Sequence, residues 1–395
     1  MNAFRTLDHV DVKGKRVLMR VDLNVPVEHG VVTDATRIER AARAITEIAD
    51  GGGKVILLSH FGRPKGKRDP KDSLKPVAAE VAHVLKRPVS FVDDCVGEGA
   101  EQAVAAMKAG DIVCLENTRF HPGEEKNDPA FVAALAKLGD IWVNDAFSAA
   151  HRAHASTEGL GHVLPAYAGR TMQAELQALS KALEHPEHPL AAIVGGAKIS
   201  TKLDLLGNLL KKVDALIIGG AMANTFLKAQ GYEVGDSRVE DDLLDTANEL
   251  VAKAKKQEVK LYLPVDCIVA DRFDPKAETK RTTVQEVPRS WMILDIGPAS
   301  TLLFGEALED ARTIIWNGPM GAFEMDAFSR GTMAMVQKLS TSHALTIVGG
   351  GDTDVAVHRA GESSNISYIS TGGGAFLMLM EGKVLPGVAA LEGKG

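Results

Sequence analysis

Short apolar runs alternate with segments of helical period along the whole chain. The early runs are RVLMRVDL, KVILLSHF, IVCLEN and IWVNDAF, and the later ones are AAIVGG, ALIIGG, KLYLPVDCIV, TIIWNG, LTIVGGG and ISYIST. Segments of helical period lie between them, for example at 74–86, 131–138, 201–213 and 243–256. Because apolar strands that alternate with amphipathic helices are typical of parallel sheets covered on both faces, the pattern predicts doubly wound, Rossmann-like α/β architecture.

The length of 395 residues is too great for one ordinary core, so we expect two such domains. The strand-rich part ends near residue 170, where the helical stretch MQAELQALSKALEHPEHP begins. We therefore predict a first domain at 1–170 and a second at 171–374, with a linking helix at 172–184. The tail 375–395 is too short to form a unit and is expected to pack back onto the first domain.

Composition narrows the possible partners. The formal charge is −7, yet residues 1–170 hold 23 Lys and Arg against 23 Asp and Glu, together with eight of the twelve histidines. This balance favours a small anion as a partner and argues against nucleic acid. Cys95, Cys114 and Cys267 are too few and too scattered for a disulfide framework or a zinc site, so we expect buried thiols. Without an apolar run of about 18 residues or an apolar leader, we expect a cytoplasmic protein that does not bind membranes.

Four strands of the second half end in glycine turns. These turns are VGGAK (194–198), IGGAM (218–222), NGPMG (317–321) and VGGGD (348–352). Ligands of parallel sheets bind at the carboxyl ends of strands, and backbone N–H groups in glycine turns suit phosphate. A Walker A sequence is missing, and no GxGxxG follows a strand. The turns therefore predict a phosphate site of another kind, and they weaken the case for a dinucleotide-dependent dehydrogenase.

Charged residues accompany these turns. Lys198 lies at the first turn, and Lys202 is expected in the first turn of the following helix, where it opposes the helix dipole unless an anion is bound. Asp352 follows three glycines directly before a helical pattern. It could be the helix N-cap, or it could hold Mg²⁺ beside bound phosphates, and both roles are compatible with the sequence.

A different set of side chains follows the strands of the first half. Asp22 and Asn24 follow the first strand, with Arg37 expected in the loop beyond them; His60 and Arg63 follow the second, Arg119 the third, and His151 and Arg152 a fourth. Guanidinium groups bind phosphate and carboxylate as a two-pronged fork. Four arginines on one rim therefore predict a small acid with more than one anionic group.

Nine sequence blocks now carry a resemblance to a known family. They are MRVDLNVP, SHFGRP, LENTRFHPGEE, NDAFSAAHRAHAS, GGAKISTKLDLLGNLLKKVD, DIGPAS, WNGPMGAFE, VGGGDT and STGGGA. In this order and approximate spacing the chain resembles the phosphoglycerate kinase family along essentially its whole length. Phe61 and Thr118 depart from the family, which commonly has leucine at both positions, so the local packing there is in question.

The resemblance implies reversible phosphoryl transfer between 1,3-bisphosphoglycerate and ADP, which gives 3-phosphoglycerate and MgATP in glycolysis and gluconeogenesis. It implies two domains that face each other across a cleft in a monomer, and Mg²⁺ that enters with ADP or ATP. The implied acid-binding residues are Asp22, Leu23, Asn24, Arg37, His60, Phe61, Gly62, Arg63, Arg119, His151 and Arg152. The implied nucleotide-binding residues are Lys202, Glu324, Gly350, Gly351, Asp352 and Thr353, with Glu324 on the ribose and Asp352 on the metal, and the implied catalytic residues are Arg37, Lys198 and Gly373.

The chemistry of the residues agrees with this reaction. A carboxylate acceptor is already ionised at neutral pH, so no general base is required, and Arg37 and Lys198 can stabilise the charge in flight. Because the reacting atoms must come within roughly 3–3.5 Å, we expect the domains to close on their ligands. A dinucleotide-dependent oxidoreductase on a similar fold is the main alternative, and a non-catalytic scaffold is the second.

Overall fold

The structure is a computed structural model that describes residues 4–392, and the chain divides into two compact units. Unit 1 contains the residues up to Gln177 together with those from Val384 onward, and unit 2 runs from Ala178 to Lys383. Each unit contains a six-stranded, entirely parallel sheet. The prediction of two parallel-sheet α/β domains is thereby confirmed.

Unit 1 is a parallel sheet with strand order β5-β6-β4-β1-β7-β8. Its strands are β1 Arg16–Arg20, β2 Val27–Glu28, β3 Val31–Val32, β4 Lys54–Leu58, β5 Ser90–Val92, β6 Ile112–Leu115, β7 Ile141–Asn144 and β8 Ala166–Ala168, of which β2 and β3 form a separate antiparallel hairpin. Its helices are α1 Thr36–Asp50, α2 Lys75–Leu85, α3 Glu98–Ala105, α4 Pro122–Glu125 and α5 Pro129–Ala136, and α6 Arg170–Leu183 begins in this unit and ends in unit 2.

The core of unit 1 explains why its central strands read as continuous apolar runs. Val17 and Met19 of β1 pack in one cluster with residues of α1 and α2, while Leu18 between them is equally buried on the opposite face. A strand buried on both faces has no polar positions to alternate with apolar ones. The strand ends, by contrast, leave the core, which is where the polar residues of the sequence occur.

Unit 2 has a parallel sheet with strand order β11-β10-β9-β15-β16-β17. Its strands are β9 Leu190–Val194, β10 Ala215–Ile218, β11 Lys260–Tyr262, β12 Asp266–Ala270, β13 Thr279–Thr283, β14 Met292–Ile296, β15 Thr313–Asn317, β16 Leu345–Gly349 and β17 Tyr368–Ser370. Its helices are α7 Leu203–Leu209, α8 Met222–Ala229, α9 Leu244–Lys256, α10 Pro298–Ala307, α11 Arg330–Ser340, α12 Gly351–Arg359 and α13 Gly373–Met380.

A three-stranded antiparallel sheet in unit 2 was not predicted. Strands β13 and β14 both pair with β12 in the order β13-β12-β14. The single predicted strand KLYLPVDCIV is therefore two strands, because Leu263 to Val265 interrupt it and β11 and β12 enter different sheets. The exposed residues of β13, TKRTT, lack an apolar run, so periodicity gave no signal for this sheet.

The compact units differ from the expected domain bounds at two places. The division falls inside α6 rather than at residue 170. The expected tail 375–395 also divides, since α13 belongs to unit 2, where Asn208 Nδ2 donates to the Met380 carbonyl at 2.7 Å. From Val384 the chain belongs to unit 1, and the Gly387 N–H, at the second residue of a short helix α14 (Pro386–Ala389), donates to the Ala150 carbonyl at 2.9 Å.

Across the described range 4–392, no helix is both long enough and apolar enough to span a membrane.

Candidate functional site

The acid-site residues predicted in the first half follow four neighbouring strands of unit 1. Strands β6, β4, β1 and β7 lie side by side and parallel, so their carboxyl ends meet at one edge of the sheet. Asp22 and Asn24 follow β1, His60 to Arg63 follow β4, Arg119 follows β6, and His151 and Arg152 follow β7. Parallel pairing thus collects residues that are up to 130 positions apart in the chain.

Arg37 is held at this edge by Asp22. Its Nη1 lies 2.8 Å from Asp22 Oδ2 and donates to the Asn24 carbonyl at 3.1 Å, and Ser148 Oγ also donates to Asp22 Oδ2. The side chain of Arg37 is 44% exposed, so its guanidinium remains open to a ligand. We expected Arg37 in a loop, but it lies in the first turn of α1, because the β2–β3 hairpin occupies the chain between β1 and that helix.

Arg119 joins two of the four strand ends. It lies in the short 3₁₀ turn Thr118–Phe120, its backbone N–H donates to Asn117 Oδ1 at 3.1 Å, and its Nη1 donates to the Gly62 carbonyl at 2.9 Å. Asn117 also exchanges hydrogen bonds with the backbone of Phe61, at 3.1 and 2.7 Å. Burial, followed by the charge of Arg152, lowers the pKa of Arg119 to about 10. The guanidinium is therefore cationic at neutral pH, and a bound anion would relieve both effects.

Two further residues belong to this cluster, although the sequence reasoning did not select them. Arg20, the last residue of β1, is buried, and its Nη2 lies 2.8 Å from His60 Nδ1. Since a guanidinium only donates, His60 Nδ1 is the acceptor and the ring proton is on Nε2. His154 is the second, and burial, followed by the charge of Arg119, lowers its pKa to about 4. The sequence offered one signal for each of these residues: Arg20 is the arginine that ends the apolar run RVLMR, and His154 is the second histidine of HRAHAS.

The histidines of the cluster are neutral at physiological pH. Burial, followed by the charges of Arg20 and Arg119, holds the pKa of His60 well below its usual range. Burial, followed by the charge of Arg152, also lowers the pKa of His151. His151 Nδ1 is buried and has no hydrogen-bond partner within the described part of the chain. The edge therefore combines cationic guanidinium groups with neutral imidazoles. The imidazoles can donate hydrogen bonds to oxygen atoms of a ligand without adding positive charge to the site.

The remaining predicted residues have different environments. Arg63 is exposed, whereas Leu23 is buried and its N–H donates to Ser59 Oγ at 3.0 Å. Gly62 has a φ of +59°, its N–H donates to Asn24 Oδ1 at 2.9 Å, and a Cβ there would lie 2.5 Å from an oxygen of Asp72. A side chain at position 62 would therefore be strained and would collide with Asp72.

In unit 2, Lys202 connects three glycine turns. It is the N-cap residue of α7 rather than a residue of the first turn, so the predicted helix 201–213 is shorter at both ends. Its Nζ donates to Asn317 Oδ1 at 2.5 Å, and Asn317 Nδ2 donates to the Gly349 carbonyl at 2.8 Å. Burial lowers the pKa of Lys202 to about 8, against the opposing effect of Asp352. Asn317 was not selected from the sequence, and its place at the end of an apolar strand was the available signal.

Glycine is required where these turns approach one another. A Cβ on Gly195 would lie 2.0 Å from the Pro319 carbonyl oxygen, and one on Gly220 would lie 2.5 Å from backbone atoms of Gly196. Gly220 also has a φ of +68°. The turns after β9, β10 and β15 can therefore pack backbone against backbone only because they lack side chains.

Asp352 lies inside α12. The helix begins at Gly351, and its N-cap is Gly350 with a φ of +101° and no side-chain cap hydrogen bond, so the interpretation of Asp352 as the N-cap is wrong. Asp352 is exposed in the first turn, where a carboxylate is favoured by the helix dipole. The next residue, Thr353, is buried, and its Oγ1 accepts the Gly318 N–H at 2.8 Å.

A cavity of about 480 Å³ lies between the glycine turns and the antiparallel sheet. Its walls include Gly196, Gly220, Pro319, Glu324 and Asp352. Glu324 and Asp352 are the two acidic residues on this wall that the sequence analysis selected, and both are exposed. The cavity therefore offers carboxylates to a sugar hydroxyl or a cation. Backbone glycines on one side and carboxylates on the other suit a ligand that carries phosphate.

The turn that carries Lys198 is held by a residue the sequence reasoning missed. Lys198 is exposed, and two residues later Ser200 N donates to Glu240 Oε2 at 3.1 Å while Ser200 Oγ donates to the other carboxylate oxygen. Burial acts to raise the pKa of Glu240, but the hydrogen bonds from Ser200 and the charge of Lys198 hold it below its usual value. Glu240 is 40 positions away in the chain and had no signal in the sequence.

Gly373 is the first residue of α13 and has a φ of +26°. A Cβ there would meet no heavy atom within 4 Å in the described chain. The constraint on this position is therefore conformational rather than steric.

The fold and the two candidate sites define a two-domain α/β protein, with a cationic edge in one unit and a glycine-lined cavity in the other. The family model of phosphoglycerate kinase matches residues 7–383. Curated phosphoglycerate kinases of Bradyrhizobium diazoefficiens and Rhodopseudomonas palustris are 62% and 60% identical, and each comparison covers 99% of both chains.

Solved structures agree with these relatives. The phosphoglycerate kinase of Coxiella burnetii is 42% identical with a TM-score of 0.92, over 98% of this chain and 99% of that one. The enzyme of Pyrococcus horikoshii is 30% identical with a TM-score of 0.81, over 98% of each chain. The chain therefore belongs to the phosphoglycerate kinase family, which consists of kinases and hence transferases. The resemblance is confirmed, and a dinucleotide-dependent oxidoreductase is not supported.

Proposed function

We propose that the chain catalyses reversible phosphoryl transfer from 1,3-bisphosphoglycerate to ADP, giving 3-phosphoglycerate and ATP in glycolysis and gluconeogenesis. The observation that carries this proposal is that two places in the chain collect residues of different chemistry, each of which suits an anionic ligand. Guanidinium groups surround one site, and backbone glycines with a carboxylate surround the other. A small acid that bears several anionic groups fits the first site, and a nucleotide fits the second.

The acid site binds phosphate and carboxylate through its arginines. Arg63 and Arg152 add exposed and half-exposed guanidinium groups to the buried one of Arg119. Asp22 accepts hydrogen bonds that fix Arg37, and Asn24 fixes the backbone of Gly62. Because these residues are already bonded to one another, the site loses little conformational freedom when the acid binds.

The nucleotide site binds phosphate at Lys202 and at the N-terminus of α12. The N–H groups of Gly351 and of Thr353 in its first turn have no partner one helical turn back, so they can donate to phosphate oxygens. Glu324 on the cavity wall would accept from ribose hydroxyls. Asp352 is an exposed carboxylate on the same wall, which is the hard oxygen ligand that Mg²⁺ prefers, so the residues fit MgADP or MgATP as substrate.

Transfer needs positioned positive charge rather than a base. The acceptor carboxylate of 3-phosphoglycerate is ionised at neutral pH, since ordinary carboxyl pKa values are about 4. Arg37 and Lys198 are exposed cations and are assigned to the charge on the transferring group. Gly373 begins α13 with a positive φ, and we assign its N–H to the transferring phosphoryl group as well.

A coupled assay tests this function. Purified protein should consume 1,3-bisphosphoglycerate only when ADP and Mg²⁺ are present, and it should consume ATP when 3-phosphoglycerate is added. Arg119→Ala should abolish most of the turnover, whereas Arg16→Ala, a surface residue paired with Asp140, serves as the matched control. A protein that binds NAD or fails to turn over either substrate pair would refute the proposal.

The resemblance suggests the oligomeric state of the proposed enzyme, and the composition of the chain suggests its compartment and partners. We expect a monomer that acts in the cytoplasm on small molecules, without a nucleic-acid or membrane partner. Sedimentation at several protein concentrations tests the monomer, because self-association would raise the apparent mass with concentration.

A further inference from the structure

A group of three metal-ligating side chains lies in unit 1 apart from the acid-site residues. Asp94, Cys95 and His121 each offer one ligand atom, and these atoms all lie within 4.8 Å of one another. His121 Nε2 lies 2.7 Å from Asp94 Oδ1. His121 belongs to the block LENTRFHPGEE, and its HPGEE part has no role in the proposed reaction. No pattern in the sequence indicates this group, because 26 positions separate the cysteine from the histidine.

The fold brings the three residues together in a fixed arrangement. Asp94 and Cys95 follow β5, and His121 ends the turn that follows the neighbouring strand β6. The imidazole of His121 stacks on Phe131, with ring centroids 5.1 Å apart and an interplanar angle of 27°. This stacking restricts the rotation of the imidazole and keeps Nε2 directed at Asp94. Cys95 is fully buried, whereas Asp94 and His121 are partly exposed, so the group has a protein side and a solvent side.

The surroundings of the thiol are negatively charged. Burial, followed by the charges of Asp94, Glu124 and Glu116, raises the pKa of the Cys95 thiol well above its usual range. Glu116 already accepts from Ser73 Oγ and the Leu74 N–H, and Glu124 accepts from Ser156. These two carboxylates are therefore committed elsewhere and are not ligands.

We propose that Asp94, Cys95 and His121 bind a zinc ion or a similar borderline-soft divalent cation, with water as the fourth ligand. Zinc accepts thiolate, imidazole and carboxylate together, at distances of about 2.3, 2.0 and 2.1 Å. A tetrahedron with these distances separates its ligand atoms by roughly 3.3–3.7 Å. No pair of ligand atoms therefore needs to close by more than about 1.1–1.5 Å, while His121 Nε2 and Asp94 Oδ1, now 2.7 Å apart, move slightly apart.

Binding has a defined proton balance. The thiol of Cys95 gives up its proton to solvent. His121 Nε2 gives up the proton that it donates to Asp94 while Nδ1 takes one up from solvent, so that a neutral imidazole coordinates through Nε2. The bound ion would connect the segment after β5 to the segment that ends at His121, two residues beyond Arg119. We therefore expect the cation to stabilise the folded protein through mass action.

The experiment uses Co²⁺ as a spectroscopic probe and Zn²⁺ as the competitor. The reduced, chelator-treated full chain is titrated with Co²⁺ in the presence of excess Mg²⁺, which fills sites made of oxygen ligands alone. We expect one Co²⁺ per chain, a thiolate-to-cobalt charge-transfer band, and loss of the band when Zn²⁺ is added. Zn²⁺ should also raise the thermal midpoint of unfolding.

Variants separate this site from adventitious binding. Cys95→Ser should remove the charge-transfer band, and His121→Gln should weaken Zn²⁺ binding at least about tenfold, since even outer partners of metal ligands contribute that much. His162→Gln is the matched control, because His162 pairs with Glu158 but has no thiol in the pair. Cys95 is buried, so circular dichroism must show that its variant folds; the partly exposed His121 provides the second test.

A wild-type protein without the thiolate band would overturn the proposal. So would Zn²⁺ affinity that is equal in wild type and His121→Gln. Neither readout depends on catalytic activity, so failure here is distinguishable from failure of the proposed kinase function.

Discussion

Nucleotide binding should weaken above pH 8 because of one side chain. Burial lowers the pKa of Lys202 to about 8, and its Nζ is held by Asn317 between the glycine turns. We propose that the ammonium form of Lys202 binds the nucleotide phosphate. Lys202 must therefore be protonated in the ligand-free protein for the phosphate to bind well. The phosphate then raises the lysine pKa again, because an adjacent negative charge favours the ammonium form.

The size of the effect follows from the titration. If only the charged form binds, the apparent Kd is proportional to 1 + 10^(pH − 8). Between pH 8 and pH 9 the Kd for ADP should therefore rise about fivefold, which corresponds to about 1 kcal/mol. Below pH 7 the lysine is almost fully protonated, so the dependence should disappear.

Calorimetric titration of MgADP from pH 6.5 to pH 9.5 measures this dependence. Repetition in buffers of different ionisation enthalpy should show proton uptake above pH 8. Lys202→Met should bind weakly with no such dependence, whereas Lys202→Arg, which stays charged, should lose the dependence but keep part of the affinity. A wild-type Kd that is flat from pH 7 to pH 9, without proton uptake, would refute the assignment of Lys202.

The lowered pKa of Lys202 also makes folding stability depend on pH. The folded protein holds Lys202 at a pKa of about 8, while an unfolded lysine has its ordinary value of 10.5. Between these two values the unfolded chain binds more protons, so this residue makes the free energy of unfolding increase as pH rises. Denaturant titrations of wild type and Lys202→Met across this window isolate the contribution, and an equal pH slope for the two proteins would contradict it.

Three other substitutions test the nucleotide side of the mechanism. Lys198→Ala should lower kcat by about 10²–10³ with little change in either substrate affinity, because its charge is assigned to the transition state; steady-state kinetics would contradict this if only KM changed. Asp352→Ala should weaken the binding of MgADP and MgATP and leave the affinity for 3-phosphoglycerate unchanged, with Asp352→Asn as the uncharged control, and calorimetric titration of each ligand measures this. Since Gly350 is the N-cap of α12, the loss of folding stability should stay within about 1 kcal/mol. Glu240→Ala should lower kcat because it loosens the turn that carries Lys198, and Glu240→Asp should keep part of the wild-type kcat. An equal kcat for the wild type and both variants would show that the hydrogen bonds between Glu240 and Ser200 do not position that turn.

The sequence predicted the two parallel sheets correctly because their central strands are buried on both faces. Val17, Leu18 and Met19 are each 0% exposed, and such runs have no polar interruption that could be confused with a helix or a loop. The antiparallel sheet was missed for the opposite reason, since β13 is mostly exposed and its residues follow no apolar pattern. Local burial thus determined which elements could be recognised.

Although Arg20 and Asn317, the last residues of β1 and β15, were not selected, other candidate site residues could be found from the sequence because they lie shortly after a strand of a parallel sheet. Arg119 and Asp352 could be selected in this way, because the carboxyl ends of parallel strands always meet at one edge. The sequence could not show that Gly350 rather than Asp352 caps α12, since that choice depends on the backbone angles at the start of the helix.

Long-range pairing and burial were decided only by the tertiary structure. The sequence by itself determined the order of the buried central strands of the two parallel sheets and the residue types at their ends. It did not determine that Arg20 would turn inward to His60, that Glu240 would hold the turn of Lys198, or that Cys95 would meet His121. Each of these depends on contacts between segments tens of residues apart, and the perturbed pKa values follow from the burial and neighbouring charges that those contacts create.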